Sequence, residues 1–278
     1  MQTGRARRRV GGRRLRVSIE GRSRQGVAPL LLINGVGAPL ELFEPLREAL
    51  GDRLTVAFDV PGVGGSPTPL LPPTMRGLAR TVADLVVEVS RELAAEVGTD
   101  RMDVLGLSWG GALAQELAHS HPRLVRRLVL AATMPGVVCV PGHPVVLAVM
   151  ASPARYYCPG FLRAVAPLLY GREVRTYRER FERYLEVRTT LAPDPVGYTY
   201  QVSALARWTS PRSCSPATRT RSSRWRTPAC WPAPSPALGC TSSGAVGTCS
   251  SCCGPRKLPR GSSRSWGNRP AEPSPPGR

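Results

Sequence analysis

The sequence predicts an α/β fold with a mostly parallel central sheet and a helical lid, in which the C-terminal part of the sheet is missing. Three observations predict it. Short apolar runs that end in Gly-rich turns alternate with segments of helical period. One such run, residues 102–105, leads into Gly106-Leu107-Ser108-Trp109-Gly110-Gly111, a serine between glycines where a strand becomes a helix, the pattern of a nucleophile elbow. After Asp194 the chain has no further Asp, no His and one acidic residue, Glu272, and residues 209–278 hold only Leu238, Val246 and Leu258 of the Leu, Ile, Val, Met and Phe set. Three such residues are too few for two core strands.

The first strand is read over residues 16–20, which alternate, and the second over residues 29–33, an almost wholly apolar run suited to burial on both faces. It ends at Asn34-Gly35-Val36-Gly37, a tight turn that brings backbone N–H groups close to a ligand. Residues 42–50 read as a helix and residues 54–58 as a strand. Asp59-Val60-Pro61-Gly62-Val63-Gly64-Gly65-Ser66 follows as loop, and its proline and late position set its glycines apart from a dinucleotide fingerprint. Residues 74–97 are helical, with Leu78, Val82, Leu85, Val86, Val89 and Leu93 on one face. Residues 102–105 then form the central strand, Ser108 the apex, residues 112–118 the next helix and residues 124–131 another parallel strand. Gly110, Gly111 and Ala112 let that helix approach the sheet.

Length and charge bound what surrounds this core. A chain of 278 residues suits one α/β domain or two small ones, and the formal net charge of +19 would ordinarily suggest nucleic acid. The charge sits at the ends: nine arginines face Glu20 in residues 1–24, and eleven Lys/Arg face Glu272 in residues 209–278, leaving about +1 between. The expected organisation is a basic flexible arm over residues 1–14, a core over residues 15–134, a lid over residues 135–208 and a low-complexity, disordered tail over residues 209–278. Six of the eight cysteines fall in that tail, at spacings that match no zinc pattern. The body reads as cytosolic; no secretory signal and no run of eighteen apolar residues is present.

The chemistry expected of the elbow is acyl transfer. Ser108 Oγ would attack an ester carbonyl, and the backbone N–H groups of Val36 and Trp109 would form the oxyanion hole; the Trp109 ring would add a pocket wall. The activating acid and base are absent. His119 and His121 stand at the far end of the helix that starts at Ser108, about 15 Å away, and His143 belongs to the lid. The lid aromatics, among them Tyr156, Tyr157, Phe161, Tyr170, Tyr184 and Tyr198, either line an apolar acyl pocket or pack the lid itself.

Several stretches carry a resemblance. They are Leu30-Leu31-Leu32-Ile33-Asn34-Gly35-Val36-Gly37-Ala38, Phe58-Asp59-Val60-Pro61-Gly62-Val63-Gly64-Gly65-Ser66, the elbow with Ala112-Leu113-Ala114-Gln115, Val129-Leu130-Ala131-Ala132-Thr133, and Met150-Ala151-Ser152-Pro153-Ala154-Arg155-Tyr156-Tyr157. Over residues 10–208 the chain resembles the intracellular poly(3-hydroxyalkanoate) depolymerases, which have the α/β-hydrolase fold. The resemblance implies hydrolysis of polyesters of medium-length 3-hydroxyacyl units in cytoplasmic granules, with Ser108 as nucleophile and no metal or organic cofactor. The partner it implies is the polyester granule or an acyl ester; no specific nucleic acid and no transmembrane segment is expected, and the oligomeric state is open. Related polyester synthases carry cysteine at the elbow, so serine favours breakdown.

Beyond Trp208 the resemblance stops. Such enzymes continue with a strand ending in Gly-Asp-x-Asp-Pro and, later, Gly-His-Leu-Phe, whereas this chain has Ser213-Cys214-Ser215-Pro216-Ala217-Thr218-Arg219-Thr220-Arg221. A shifted reading frame accounts for the break. Codons GCG-ACG-CGG-ACC-CGN for residues 217–221, read one base back, give Gly-Asp-Ala-Asp-Pro, and GGC-ACC-TGT-TCC for residues 247–250 give Gly-His-Leu-Phe. The missing acid and base thus reappear in the order this superfamily uses. Two readings remain: a serine ester hydrolase impaired in this chain, and a catalytically inactive protein that binds granules or nucleic acid. A base for Ser108 separates them.

Overall fold

The computed structural model describes residues 4–134, 143–171 and 173–209. Six strands form one sheet in the order β1-β2-β4-β3-β5-β6. They are β1 (Gly4–Val10), β2 (Arg13–Glu20), β3 (Leu30–Ile33), β4 (Thr55–Phe58), β5 (Met102–Leu107) and β6 (Val125–Ala131). β1 with β2 and β2 with β4 are antiparallel; β4, β3, β5 and β6 run parallel. This is the α/β-hydrolase fold, with a mixed, mostly parallel sheet, and no strand follows β6 among the described residues.

Alternation along β3 explains its apolar sequence. Leu31 and Ile33 join the core on the face that carries α2 (Met75–Val97) and α3 (Trp109–Ser120), while Leu30 and Leu32 pack with Leu40, Phe43 and Ala57 on the opposite face. There a short 3-10 helix, Leu40–Phe43, runs into α1 (Glu44–Leu50). Burial on two faces leaves no position for a polar residue. α2 presents its predicted stripe to the sheet; the Thr74 hydroxyl caps its start by accepting from Gly77 N–H, and Gly98 ends it in the left-handed conformation.

The basic arm expected over residues 1–14 is corrected by the structure. Gly4–Val10 pairs with β2 along its whole length, from Gly4 opposite Ile19 to Val10 opposite Arg13. Val10 is fully buried, Arg5 pairs with Glu41 and Glu44, and Arg8 with Glu88 and Glu92. The arginines read as solvated because their acids lie on helices distant in sequence. Lesser differences concern boundaries: β2 begins at Arg13, β5 runs on to Leu107, and α3 begins at Trp109.

After β6, a helical segment comprises α4 (Pro144–Ala151), α5 (Ala154–Tyr157), α6 (Pro159–Tyr170), α7 (Glu173–Thr176), α8 (Arg178–Thr190) and α9 (Pro195–Ala206). Asp194 caps α9 through the N–H groups of Val196 and Gly197. The expected low-complexity tail lies outside the described residues from 210 onward.

Candidate active site

Ser108 sits between β5 and α3 at φ 53°, ψ −118°, a conformation costing a non-glycine residue about 1–3 kcal/mol. The fold holds it there from both sides. Ser108 N–H donates to the Ala131 carbonyl of β6 at 2.8 Å, and Ser108 O accepts from Gly111 N–H at 2.9 Å. Glycine at 110 is a packing necessity: a Cβ there would stand 2.2 Å from the Ile33 carbonyl oxygen and 2.4 Å from that of Asn34. α3 can therefore start directly against the end of β3, which sets the turn after β3 beside the elbow.

That turn is built by Asn34. Its side-chain oxygen accepts from Gly35 N–H and its amide donates to the Pro39 carbonyl, both at 2.9 Å, with the side chain buried. A Cβ on Gly35 would lie 3.7 Å from Ser108 Cβ, so Ser108 and the turn are neighbours. The Val36 N–H makes no hydrogen bond among the described residues, and the Trp109 N–H, in the first turn of α3, has no acceptor within its own helix.

The helical segment grips this arrangement through Tyr156 and through Gln201, which the sequence did not single out. Gly37 N–H donates to Gln201 Oε1 at 2.9 Å, Trp109 Nε1 donates to the Gln201 carbonyl at 2.9 Å, and the Tyr156 hydroxyl donates to the Val36 carbonyl. One residue of α9 therefore ties the turn to the elbow. Trp208 Nε1 adds a bond to Glu116 of α3 at 3.0 Å. The Trp109 ring expected as a pocket wall is instead buried in the core, with its N–H spent on α9. Of the aromatics, Tyr156 and Tyr198 are buried against each other with ring centroids 5.2 Å apart, and Tyr170, Phe181 and Tyr184 form a second cluster, so these pack the segment itself.

Asp59, at the end of β4, carries a further positioning network. Its carboxylate accepts from Leu40 N–H, Gly65 N–H and Arg16 Nε, and Arg16 also bonds Glu41. These bonds tie β2 and the loop after β4 to the start of the short helix that follows the turn after β3.

No side chain among the described residues hydrogen-bonds Ser108 Oγ. His119 lies in the last turn of α3 and His121 just beyond it. His143 caps α4, its Nδ1 accepting from Val145 N–H at 3.3 Å. Among the described residues no group of three His, Cys, Asp or Glu could hold a metal, and no helix is long and apolar enough to cross a membrane. The expected restored acid and base fall on residues 217–218 and 247–248, outside the described residues.

Known proteins resemble this chain in sequence and in fold. A poly(3-hydroxyalkanoate) depolymerase of Ectopseudomonas oleovorans is 44% identical over 186 residues, 66% of this chain and 62% of that protein. A soluble epoxide hydrolase of Corynebacterium sp. (strain C12) is 29% identical over 155 residues, covering 55% of this chain and 51% of its own. The chain thus spans less than two thirds of the length of these relatives. Among solved structures, the enol-lactonase of Burkholderia xenovorans LB400 superposes with a TM-score of 0.58 at 24% identity, over 74% of this chain and 75% of its own, a likeness of fold. The model of the alpha/beta hydrolase family matches residues 30–247, well over half of the sequence, and the chain belongs to that family.

Proposed function

We propose that the chain is built to hydrolyse carboxylic esters, with Ser108 as nucleophile and the Val36 and Trp109 N–H groups as oxyanion donors. The reading rests on the Ser108 elbow, held in its strained conformation beside a turn whose Val36 N–H makes no hydrogen bond among the described residues. Attack by Ser108 on the carbonyl would place negative charge on the carbonyl oxygen, and the two N–H groups would stabilise it.

The substrate class is poly(3-hydroxyalkanoate) or a related acyl ester, and the chain acts in the cytoplasm at the granule surface. The depolymerase similarity and the resemblance over residues 10–208 support this. The helical segment is the lid over that site. In the chain as it stands the acid and base are missing, because residues 209–278 are read in a shifted frame; read one base back, they supply the carboxylate and histidine. The ion pairs of Arg5 and Arg8 with helix glutamates speak against a nucleic-acid-binding arm.

The test is turnover of a medium-chain p-nitrophenyl ester by three proteins: the present chain, the chain with its frame restored after residue 208, and the restored chain carrying Ser108→Ala. The reading expects trace activity, activity, and a loss of about four to six orders of magnitude, respectively. Turnover by the present chain that disappears with His143→Ala would overturn the frame argument. Activity of the restored chain that survives Ser108→Ala would overturn the nucleophile.

A further inference from the structure

Arg155 of α5 and Arg188 of α8 are buried to 4% and 2% exposure, and neither reaches a carboxylate among the described residues. They share one aromatic ring: the Arg188 guanidinium carbon lies 3.7 Å and that of Arg155 5.0 Å from the Tyr156 centroid. Each uses only Nη1. Arg188 donates from it to the hydroxyls of Tyr170 and Tyr184, and Arg155 to Met150 Sδ at 3.2 Å.

In both residues Nε and Nη2 are buried with no hydrogen-bond partner among the described residues. Those two N–H groups project side by side and form the fork that takes a carboxylate in two parallel bonds. The tyrosines supply no counter-charge. Burial raises the Tyr156 and Tyr184 hydroxyls above their ordinary range, so both stay neutral phenols. Stacking on a ring offsets part of the cost of two desolvated cations, but not the loss of four donors.

We propose that Arg155 and Arg188 form a carboxylate-binding site in the helical segment, which takes the free carboxylate of a 3-hydroxy acid or of a polyester chain end. The rings of Tyr156, Tyr170, Tyr184 and Tyr198 around the two forks suit an organic acid better than inorganic phosphate. Tyr170, 38% exposed, bonds Arg188 Nη1 through its hydroxyl at 3.3 Å. The Tyr156 hydroxyl, bonded to the Val36 carbonyl, connects the site to the oxyanion turn. The identity of the ligand as reaction product rests on the proposed ester hydrolysis; the existence of the site does not.

The experiment is calorimetric titration of the full chain carrying Ser108→Ala with 3-hydroxyoctanoate, its methyl ester and inorganic phosphate. Because this protein needs no activity, failure to bind the acid sinks the site alone, whereas failure of the esterase assay sinks only the ester-hydrolase reading. The acid is expected to bind and the methyl ester to bind at least about tenfold more weakly. Arg188→Gln should weaken the acid by a similar factor. Arg155→Lys, which keeps the charge and loses the fork, does the same and guards against misfolding of the Arg188 variant; Arg163→Gln, at an exposed pair with Glu182, leaves binding unchanged. Equal binding of acid and ester, tighter binding of phosphate, or full affinity in folded Arg155→Lys would overturn the proposal.

Discussion

The two sides of the sheet are finished in different ways. On one side β1 and β2 form an antiparallel hairpin whose outer strand, Gly-Arg-Ala-Arg-Arg-Arg-Val, is polar and pinned to helix glutamates by Arg5 and Arg8. This suits an edge, because charged side chains discourage further pairing. On the other side β6 ends in Leu-Val-Leu-Ala, the composition of an interior strand, yet Val129 is 49% exposed and no strand pairs with its outer side among the described residues. The contrast teaches where the fold expects more chain. An apolar strand there suits an interior position, and in the proposed frame the next strand would carry the catalytic carboxylate.

The two edges should differ most in hydrogen exchange. Restoring the frame after residue 208 should slow exchange of the β6 amides that face away from β5 by two or more orders of magnitude, as expected for a change from fraying to core protection, while β1 amides stay as they are. Equal β6 protection in both proteins would show that β6 is a true edge. Next in size, Gly110→Ala should cost about 2–4 kcal/mol in thermal or urea unfolding, because its Cβ meets backbone rather than a movable side chain. A change below about 1 kcal/mol would mean that α3 does not start against β3.

Valine truncation in the two neighbouring strands should give unequal losses. Val104→Ala in β5, fully buried, should destabilise by about 2–3 kcal/mol, and Val129→Ala in β6 by about 1 kcal/mol or less in the present chain. In the restored chain the two values should converge. At the foot of the same pair, Asp103 of β5 bonds Arg126 of β6 and Arg53. Burial alone would raise its carboxyl, but the Arg126 and Arg53 donors outweigh it and hold the carboxyl below its ordinary value. Its contribution is therefore present above the unfolded value of about 3.9 and is lost as the pH falls through the lower folded value. Asp103→Asn should cost about 1–3 kcal/mol at pH 7, and its unfolding curve should merge with that of the parent as the solution becomes more acid than about pH 4. A gap that persists at low pH would assign the loss to packing. Smallest of all, Arg8→Ala should cost about 1 kcal/mol or less and be screened by salt.

Much of this was legible from local pattern. β3 needed only four apolar residues before a Gly-rich turn, α2 only its stripe, and the elbow only a serine between glycines. The parts that escaped are those with no local signature. β1 is a strand because it pairs with β2 along its whole length while Arg5 and Arg8 meet glutamates on distant elements, and an arginine-rich run gives no sign of that by itself. Gln201 joins the turn to the elbow from 164 and 92 residues away, and no spacing rule connects such positions. The open forks of Arg155 and Arg188 became visible only when burial and partners could be assigned to each nitrogen.

The reactivity of Ser108 distinguishes a positioned nucleophile whose base is supplied by the restored tail from one that already has its base in residues 1–208. A fluorophosphonate that modifies activated serines should label the restored chain at Ser108 rapidly, and peptide mass analysis should locate the adduct there. The present chain, and the restored chain carrying Ser108→Ala, should label at no more than a trace rate. Labelling of Ser108 at the same rate in the present and restored chains would contradict the account and assign the activating base to residues 1–208.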